Sequence, residues 1–558
     1  MTVRRSWIIA ILLFVALSIV GLGLRPLIVP DEPRYGIIPA EMVENGNWLA
    51  LRMAGFVYYE KPPLGYWFTA ASLSAFGHNA FALRLPSAIA TLIAALVAAW
   101  MAVRITGRRD DGPLAFMVQT TTLAPLIFGS VALLDPPFAA LVSLSMGALY
   151  CGCTTLGRSR AGWLALAGVA AGFAFLTKGL LAFAIPAISA IVFLAWERRW
   201  KDMITMPWIP LGAAVITVAP FAWIIHRAEP GFWNYFIVVE HFRRIAQPDS
   251  NQHPEPWWFF LALFPIGAMI WSIAWPNAWK GLRDAVDWRI GFRFMVSWIV
   301  GPLALLSFSS GKLPTYLLPL FAPVAVLVAL GLRCAHSSGS MTMNRAAIAA
   351  RWMLRLCAAA SFVIALIGGR KFGIPTLWDS NESLRFVVIG VAFLLWAQLD
   401  AWSWNALEAR TWLVRTTFAP VPILLTIPFF FPSALFQASK NPWPLFDRLT
   451  EQLRTSTLLV TSHEPAHALS WATGRYDIVI AGDASEFDNE LGIQSEQLRR
   501  IKWDEVGARI IQARATSTSQ SVAVVCPTSE ADRILQTAGV PVVDMRESDG
   551  NLTVLYWR

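Results

Sequence analysis

Val29-Pro30-Asp31-Glu32-Pro33-Arg34-Tyr35 opens a polar loop, and Tyr58-Tyr59-Glu60-Lys61-Pro62-Pro63-Leu64 lies further along it. An apolar stretch that ends near residue 25 precedes this loop, and another that starts near residue 82 follows it. Each stretch is long enough to cross a bilayer, since a spanning helix needs about 20 mostly apolar residues. Carboxylates, tyrosines and a lysine, stiffened by prolines, are thereby held where the chain leaves hydrocarbon. That placement suits chemistry on a lipid-linked substrate.

The pattern repeats along the chain. Apolar spans are expected at 7–25, 82–104, 112–133, 137–156, 160–176, 180–196, 205–225, 257–275, 291–308, 313–332, 353–369, 385–404 and 413–431. Only 15% of the 558 residues are charged, against about 25% in a soluble domain. In hydrocarbon each backbone polar group needs an internal partner, and a helix supplies one. Trp7, Trp100, Trp200, Trp257 and Trp258 sit near span ends, as interfacial tryptophans do. The fold class expected is a polytopic α-helical membrane protein of about thirteen spans with a C-terminal α/β soluble domain.

Short basic loops alternate with the others: Arg104/Arg108/Arg109, Arg158/Arg160, Arg198/Arg199/Lys201, Lys280/Arg283/Arg289 and Arg410/Arg415. With Arg4 and Arg5 they define the cytoplasmic side. The loops 26–81 and 226–256 and the C-terminal domain then lie outside, which is the periplasm of a Gram-negative bacterium. The N-terminus is cytoplasmic, and the chain is placed in the inner membrane as a multi-pass protein. The net charge of +9 serves this topology and contact with anionic membrane lipids. No basic helix or groove motif points to nucleic acid. The first span lacks a small-x-small cleavage site and reads as an anchor. Five cysteines at 151, 153, 334, 357 and 526 form no disulfide framework.

Two units follow: 1–432, a transmembrane domain with outer-face loops 26–81 and 226–256, and 433–558, the periplasmic α/β domain. In the first loop a helix is expected over 33–46, opening at Pro33 with Asp31 just before it. A second, interfacial helix is expected from Pro62 to Phe76. In the tail, strands are expected at 458–460, 477–481, 522–526, 541–545 and 552–557. Helices are expected near 494–514 and 529–538, with Gly539 as a cap.

Candidate chemistry gathers in the outer loops. Asp31 and Glu32 can cap a helix, orient or deprotonate a nucleophile, or balance charge developing on a sugar. Lys61 can neutralise a departing lipid phosphate, with Tyr58 and Tyr59 adding hydroxyl donors. Arg243 and Arg244 run against the positive-inside bias, and a guanidinium suits phosphate. Lys178 in Thr177-Lys178-Gly179 and Lys312 in Ser309–Tyr316 bring further cations to the same face, where Asp135 supplies an acidic turn. The shared side and depth of these cations favour an anionic amphipathic substrate. Glu60 and His241, both on the outer face, form a candidate divalent-metal pair, though two ligands do not make a secure site. His463-Glu464-Pro465-Ala466-His467 spells the zinc-protease motif, but lacks an evident third ligand and reads as a solvated helix start. A transporter or flippase would place charge near the bilayer midplane, not in the loops.

On these residues the chain resembles the C superfamily of polytopic glycosyltransferases. It is most similar to the branch that transfers 4-amino-4-deoxy-L-arabinose to lipid A. The resemblance is carried by Asp31-Glu32-x-Arg34-Tyr35, Tyr59-Glu60-Lys61-Pro62-Pro63-Leu64-x-Tyr66-Trp67, Thr177-Lys178-Gly179 and Gly311-Lys312-x-Pro314-x-Tyr316-x-x-Pro319. It implies an undecaprenyl-phosphate-linked sugar donor, an outer-face site, inversion at the anomeric carbon, a lipid A acceptor and resistance to polymyxin-like peptides. It maps the catalytic carboxylate onto Asp31 and the donor-phosphate lysine onto Lys61. Arg34, Tyr35 and Tyr316 join the expected substrate-binding set. Protein O-mannosyltransferases, the nearest alternative, share the plan and the acidic first loop. No cofactor is implied beyond the candidate metal, and the oligomeric state is not indicated.

Overall fold

The computed structural model describes residues 2–243, 254–284, 288–309, 311–338, 345–367, 383–404, 409–426, 442–484, 487, 493–516 and 520–558. Among the described residues, eight helices are long and apolar enough to cross a membrane, or nine with one bent pair. They confirm a polytopic helical membrane protein but not the count of thirteen. Several expected spans are shorter or broken. α1 (Val3–Ser18) has 16 residues, as does Leu181–Trp196. The span expected at 112–133 is split into Asp111–Thr121 and Leu123–Gly129, bent by 66°. Pro125 lies in the first turn of the second piece. It has no N–H to give the carbonyl four residues back, so one helix cannot run through Thr121. The span expected at 257–275 becomes the helix Phe259–Gly267, containing Pro265, and a 3₁₀ turn at Trp271–Ala274. The last expected span is divided into Ala409–Phe418 and Val421–Thr426, and its end lies outside the described residues. So does the expected domain boundary at 432/433.

The first loop is folded throughout. α2 covers Asp31–Asn45 and ends at Gly46, φ +66°. It begins two residues before the expected Pro33, so Asp31 lies within the first turn and not ahead of it. Asp31 and Glu32 there meet the positive end of the helix dipole. A hairpin pairs β1 (Arg52–Met53) with β2 (Phe56–Val57). α3 (Leu64–Phe76) follows Pro62 and Pro63, and leads through Asn79 into α4 (Ala80–Thr106). The Asn79 side chain accepts the Ala82 N–H at 2.9 Å, a helix cap.

Glu32 is fully buried and is not a surface cap. Its Oε1 accepts from Arg25 at 3.1 Å, Arg84 Nε at 2.7 Å and the Ala132 N–H at 3.0 Å. Its Oε2 accepts from Arg25 at 2.7 Å, Arg84 at 2.8 Å and the Ile28 N–H at 2.8 Å. Arg84 further binds the carbonyls of Leu22, Arg25 and Pro26. Burial alone would raise the Glu32 pKa, but the two guanidiniums bring it down to about 2. The carboxylate therefore stays charged at any working pH. It joins the end of the first span, the start of α2, α4 and the chain near residue 132.

The tail is an α/β domain with one six-stranded sheet, in the order β5-β4-β3-β6-β8-β7. The strands are β3 (Leu458–Thr461), β4 (Val479–Ala481), β5 (Arg500–Ile501), β6 (Val522–Pro527), β7 (Met545–Asp549) and β8 (Leu552–Trp557). β5 to β6 run parallel, and β8 and β7 add an antiparallel edge. Two expectations are corrected. The helix expected near 494–514 is two helices, Gln494–Gln497 and Trp503–Thr516, separated by β5. The strand expected at 541–545 starts at Met545; Pro541 offers no ladder donor, and Val542 is 91% exposed. The motif at 463–467 begins a helix, His463–Thr473, closed by Gly474 at φ +67°. His467 is fully buried and stacks on Phe487 at 4.9 Å between centroids. It is a core residue, so the expected solvated helix start holds only at the helix's first turn.

The first loop and the tail share one apolar core. Leu27, Ile37, Met53, Phe56 and Leu83 pack in the same cluster as Leu445, Leu469, Ile480 and Val525. Trp443 donates to the Leu27 carbonyl at 2.8 Å, and His78 stacks on Trp471 at 3.7 Å. Glu32→Gln would strand two buried guanidiniums. Disrupting one partner of such a set costs about 3–5 kcal/mol, whereas an exposed pair such as Arg448–Glu547 contributes about 0–1 kcal/mol. Fluorescence-detected size exclusion after heating should show a large fall in Tm for Glu32→Gln and almost none for Arg448→Gln.

Candidate active site

One turn of α2 presents Asp31, Arg34 and Tyr35, spaced three and four residues apart and hence on one face. Opposite them, β2 runs into Tyr58-Tyr59-Glu60-Lys61, and the two prolines turn the chain into α3. Arg34 binds Glu60 at 3.0 Å, and the Tyr58 hydroxyl lies 3.5 Å from the same carboxylate. Tyr66, on the first turn of α3, donates to the Tyr58 hydroxyl at 3.3 Å. The Tyr35 and Tyr66 rings are 6.3 Å apart.

The second loop clasps this assembly. Lys61 is paired with Glu240, on the π-wound helix Asn234–Arg243. Glu229 accepts from the Tyr59 hydroxyl and binds Arg52 at 2.8 Å. Lys178, at the end of the helix Gly157–Lys178, is paired with Asp135, the first residue of the helix Asp135–Thr154. The Lys178 ammonium also lies 4.4 Å from the centroid of the Tyr316 ring.

Lys61, Lys178 and Arg34 are therefore each matched to a carboxylate, and all six side chains are at most 22% exposed. Charge balance spares the site several bare, part-buried cations. The tyrosines are held as proton donors. Burial, with Tyr66, Asp135 and Asp31 nearby, pushes Tyr35 well above its ordinary pKa. Burial, with Tyr66 and Glu60, does the same for Tyr58, and burial with Glu229 for Tyr59.

The structure thus brings together Arg34, Tyr35, Tyr58, Tyr59, Glu60 and Lys61. Asp31 is on the exposed rim of the same helix turn. Lys178 and Tyr316 form a second group around Asp135. Lys312 has another setting: it is only 4% exposed and donates to the backbone carbonyls of Glu255 and Ser309. Arg244 and the side chains of His241 and Arg243 lie outside the described residues. No group of three or more His, Cys, Asp or Glu among the described residues could hold a metal ion. Sequence reading missed Arg25, Arg84, Arg52, Glu229 and the pairing role of Glu240. Arg84 had a signal, as a charge inside an apolar helix; the others are matched only by folding.

Comparison with known proteins gives the lineage. Residues 4–236 match the dolichyl-phosphate-mannose-protein mannosyltransferase family, and residues 437–556 match the arabinosyl transferase ArnT C-terminal domain. A relative from Erwinia tasmaniensis, an undecaprenyl phosphate-alpha-4-amino-4-deoxy-L-arabinose arabinosyl transferase, is 30% identical over 98% of this chain and 97% of its own. One of the same name from Pseudomonas aeruginosa is 30% identical over 99% of this chain and 98% of its own. The chain belongs to this arabinosyl transferase family. It is a glycosyltransferase. The crystal structure of ArnT from Cupriavidus metallidurans bound to undecaprenyl phosphate shares the fold, with a TM-score of 0.80 and 20% identity over 99% of this chain and 97% of that one.

Glu41, two turns along α2 from Arg34, braces the hairpin by accepting the Gly55 N–H at 3.1 Å. Burial raises its pKa to about 7, against the opposing pull of the Gly55 N–H, Arg499 and Arg52. A raised carboxyl pKa favours the native state at low pH, and that contribution disappears as pH rises through about 7. Glu41→Gln keeps the acceptor and removes the charge. Its Tm should exceed that of the wild type at pH 8 and match it at pH 4, measured by thermal unfolding in detergent.

Proposed function

We propose that this chain moves 4-amino-4-deoxy-L-arabinose from undecaprenyl phosphate to a lipid A phosphate at the periplasmic face of the inner membrane, inverting the anomeric carbon. The observation that carries this reading is the cluster of Lys61, Arg34 and protonated Tyr58 and Tyr35 at the end of the first span. Its charges are balanced by carboxylates that a phosphate can replace. The basic short loops support an outer position for this end, by the positive-inside rule.

The chemistry needs little acid or base. The bond from the anomeric carbon to the carrier phosphate oxygen breaks, and a bond to an oxygen of the acceptor phosphate forms. The donor is a phosphodiester with one negative charge, and the carrier leaves as a phosphate monoester, largely dianionic since its second pKa is about 6. The acceptor changes in the opposite sense, so the protons balance without transfer. Catalysis then lies in stabilising the charge that grows on the leaving phosphate. Lys61 and Arg34 attract it more strongly in the transition state than in the ground state. Asp31, at the rim, orients the acceptor or the amino sugar, or balances positive charge on the reacting ring. A Ser or Thr acceptor, as in the mannosyltransferases, would need a true base instead. The product carries a cationic amine on a phosphate diester that keeps one negative charge where the monoester was largely dianionic, which weakens attraction for cationic peptides.

Mass spectrometry of lipid A tests this. Cells carrying the wild type should add an aminopentose; Lys61→Ala at equal protein level should lower this by about 100-fold and restore polymyxin sensitivity. Unchanged lipid A in both strains would reject the acceptor. In purified protein, Asp31→Asn should lose most of its turnover while keeping the wild-type pH profile; equal activity would remove Asp31 from the mechanism.

A further inference from the structure

We infer that Glu496 and Arg499 of the C-terminal domain are positioning residues that set the geometry of the donor site from outside it. The inference rests on the proposed role of Tyr58–Lys61 in donor binding. Glu496 is 4% exposed, and its Oε1 accepts the Val57 N–H at 2.7 Å. Its other oxygen binds Arg500 at 3.2 Å, which fixes the carboxylate plane. Val57 is the residue immediately before Tyr58. Arg499 donates to the Ala54 carbonyl at 2.7 Å while its guanidinium also holds the carbonyls of Tyr476 and Ile478, each at 2.8 Å.

The hairpin is shaped to this grip. Its tip uses Ala54 at φ +52° and Gly55 at φ +80°, conformations that favour glycine and cost a residue with a Cβ. A Cβ on Gly55 would fall 2.5 Å from the Tyr476 carbonyl and 2.6 Å from the Arg499 guanidinium. Phe56 is 1% exposed, with Phe487 at 5.4 Å and the Arg499 guanidinium at 4.3 Å from its ring. Two paired strands of two residues each cannot hold their own shape. The tail therefore supplies the rigidity, and the position of Val57 is passed along the backbone to Glu60 and Lys61.

The test uses the full-length chain in detergent with undecaprenyl-phosphate-linked aminoarabinose and lipid A. Glu496→Ala should raise the donor KM by about tenfold, the scale at which small misplacements act, and leave the lipid A KM unchanged. Glu496→Gln, whose amide oxygen still accepts from Val57, should remain close to wild type. A partly unfolded preparation would lower kcat with KM intact, so a donor KM shift separates positioning from damage. Wild-type donor KM in Glu496→Ala overturns the inference. Should Glu496→Ala fail to fold, hydrogen exchange over residues 52–61 in Arg499→Lys decides: faster exchange there with β3 and β6 unchanged supports it, and unchanged exchange overturns it. Lys61→Ala run in parallel keeps the two proposals apart. If Lys61→Ala retains turnover, the functional reading fails and this inference with it. If Lys61→Ala is inactive while Glu496→Ala behaves as wild type, only the inference fails.

Discussion

A buried carboxylate with six donors on it governs this molecule. Glu32 draws Arg25, Arg84 and two backbone N–H groups to one point where water cannot reach. An ion buried there is tolerable only when every lone pair is met. The price of its burial is repaid in geometry, because it determines where α2 starts. The adjacent first-turn residues Asp31, Arg34 and Tyr35 follow from that start. Next to a fluid bilayer, such a clamp substitutes for the rigidity that a soluble enzyme draws from its own core.

The second theme is neutrality. Sequence reading gathers five cations on one face and suggests a cationic trap. Folding gives Lys61, Lys178 and Arg34 a carboxylate each. Such a site does not attract any passing anion strongly; a ligand must outcompete Glu240, Asp135 and Glu60. Under the proposed function, a phosphate gaining negative charge as its bond to the sugar breaks would compete best when most charged, so the paired arrangement would favour the transition state over the ground state.

Much of this was legible in the chain. The eight long apolar helices fall where apolar length puts a span, and the first-loop motif marks Arg34, Tyr58, Glu60 and Lys61 as candidates, while the approach of Arg34 to Glu60 is seen only in the fold. Where legibility failed, long-range partners were responsible in most cases, and a local proline in one. Glu32 reads as an N-terminal helix acid, and only the approach of Arg84 and Ala132, distant in sequence, makes it a core residue. Pro125 breaks a span that hydropathy alone runs together. β5 interrupts a helical pattern because β4 offers it an edge. His467 fits a zinc motif by spelling, yet Phe487 settles it in the core. The union of the first loop and the tail in one core could not be read from either segment alone.

The central claim is that the cation and tyrosine cluster of the first loop seats the carrier phosphate. Its most direct test is equilibrium binding of undecaprenyl phosphate to the purified chain, comparing wild type, Lys61→Gln and a remote control, Arg160→Gln, whose partner is Asp202. The account predicts at least about tenfold weaker binding for Lys61→Gln, as expected for losing a charge-assisted phosphate contact, and wild-type affinity for the control. Equal affinity across all three would contradict it.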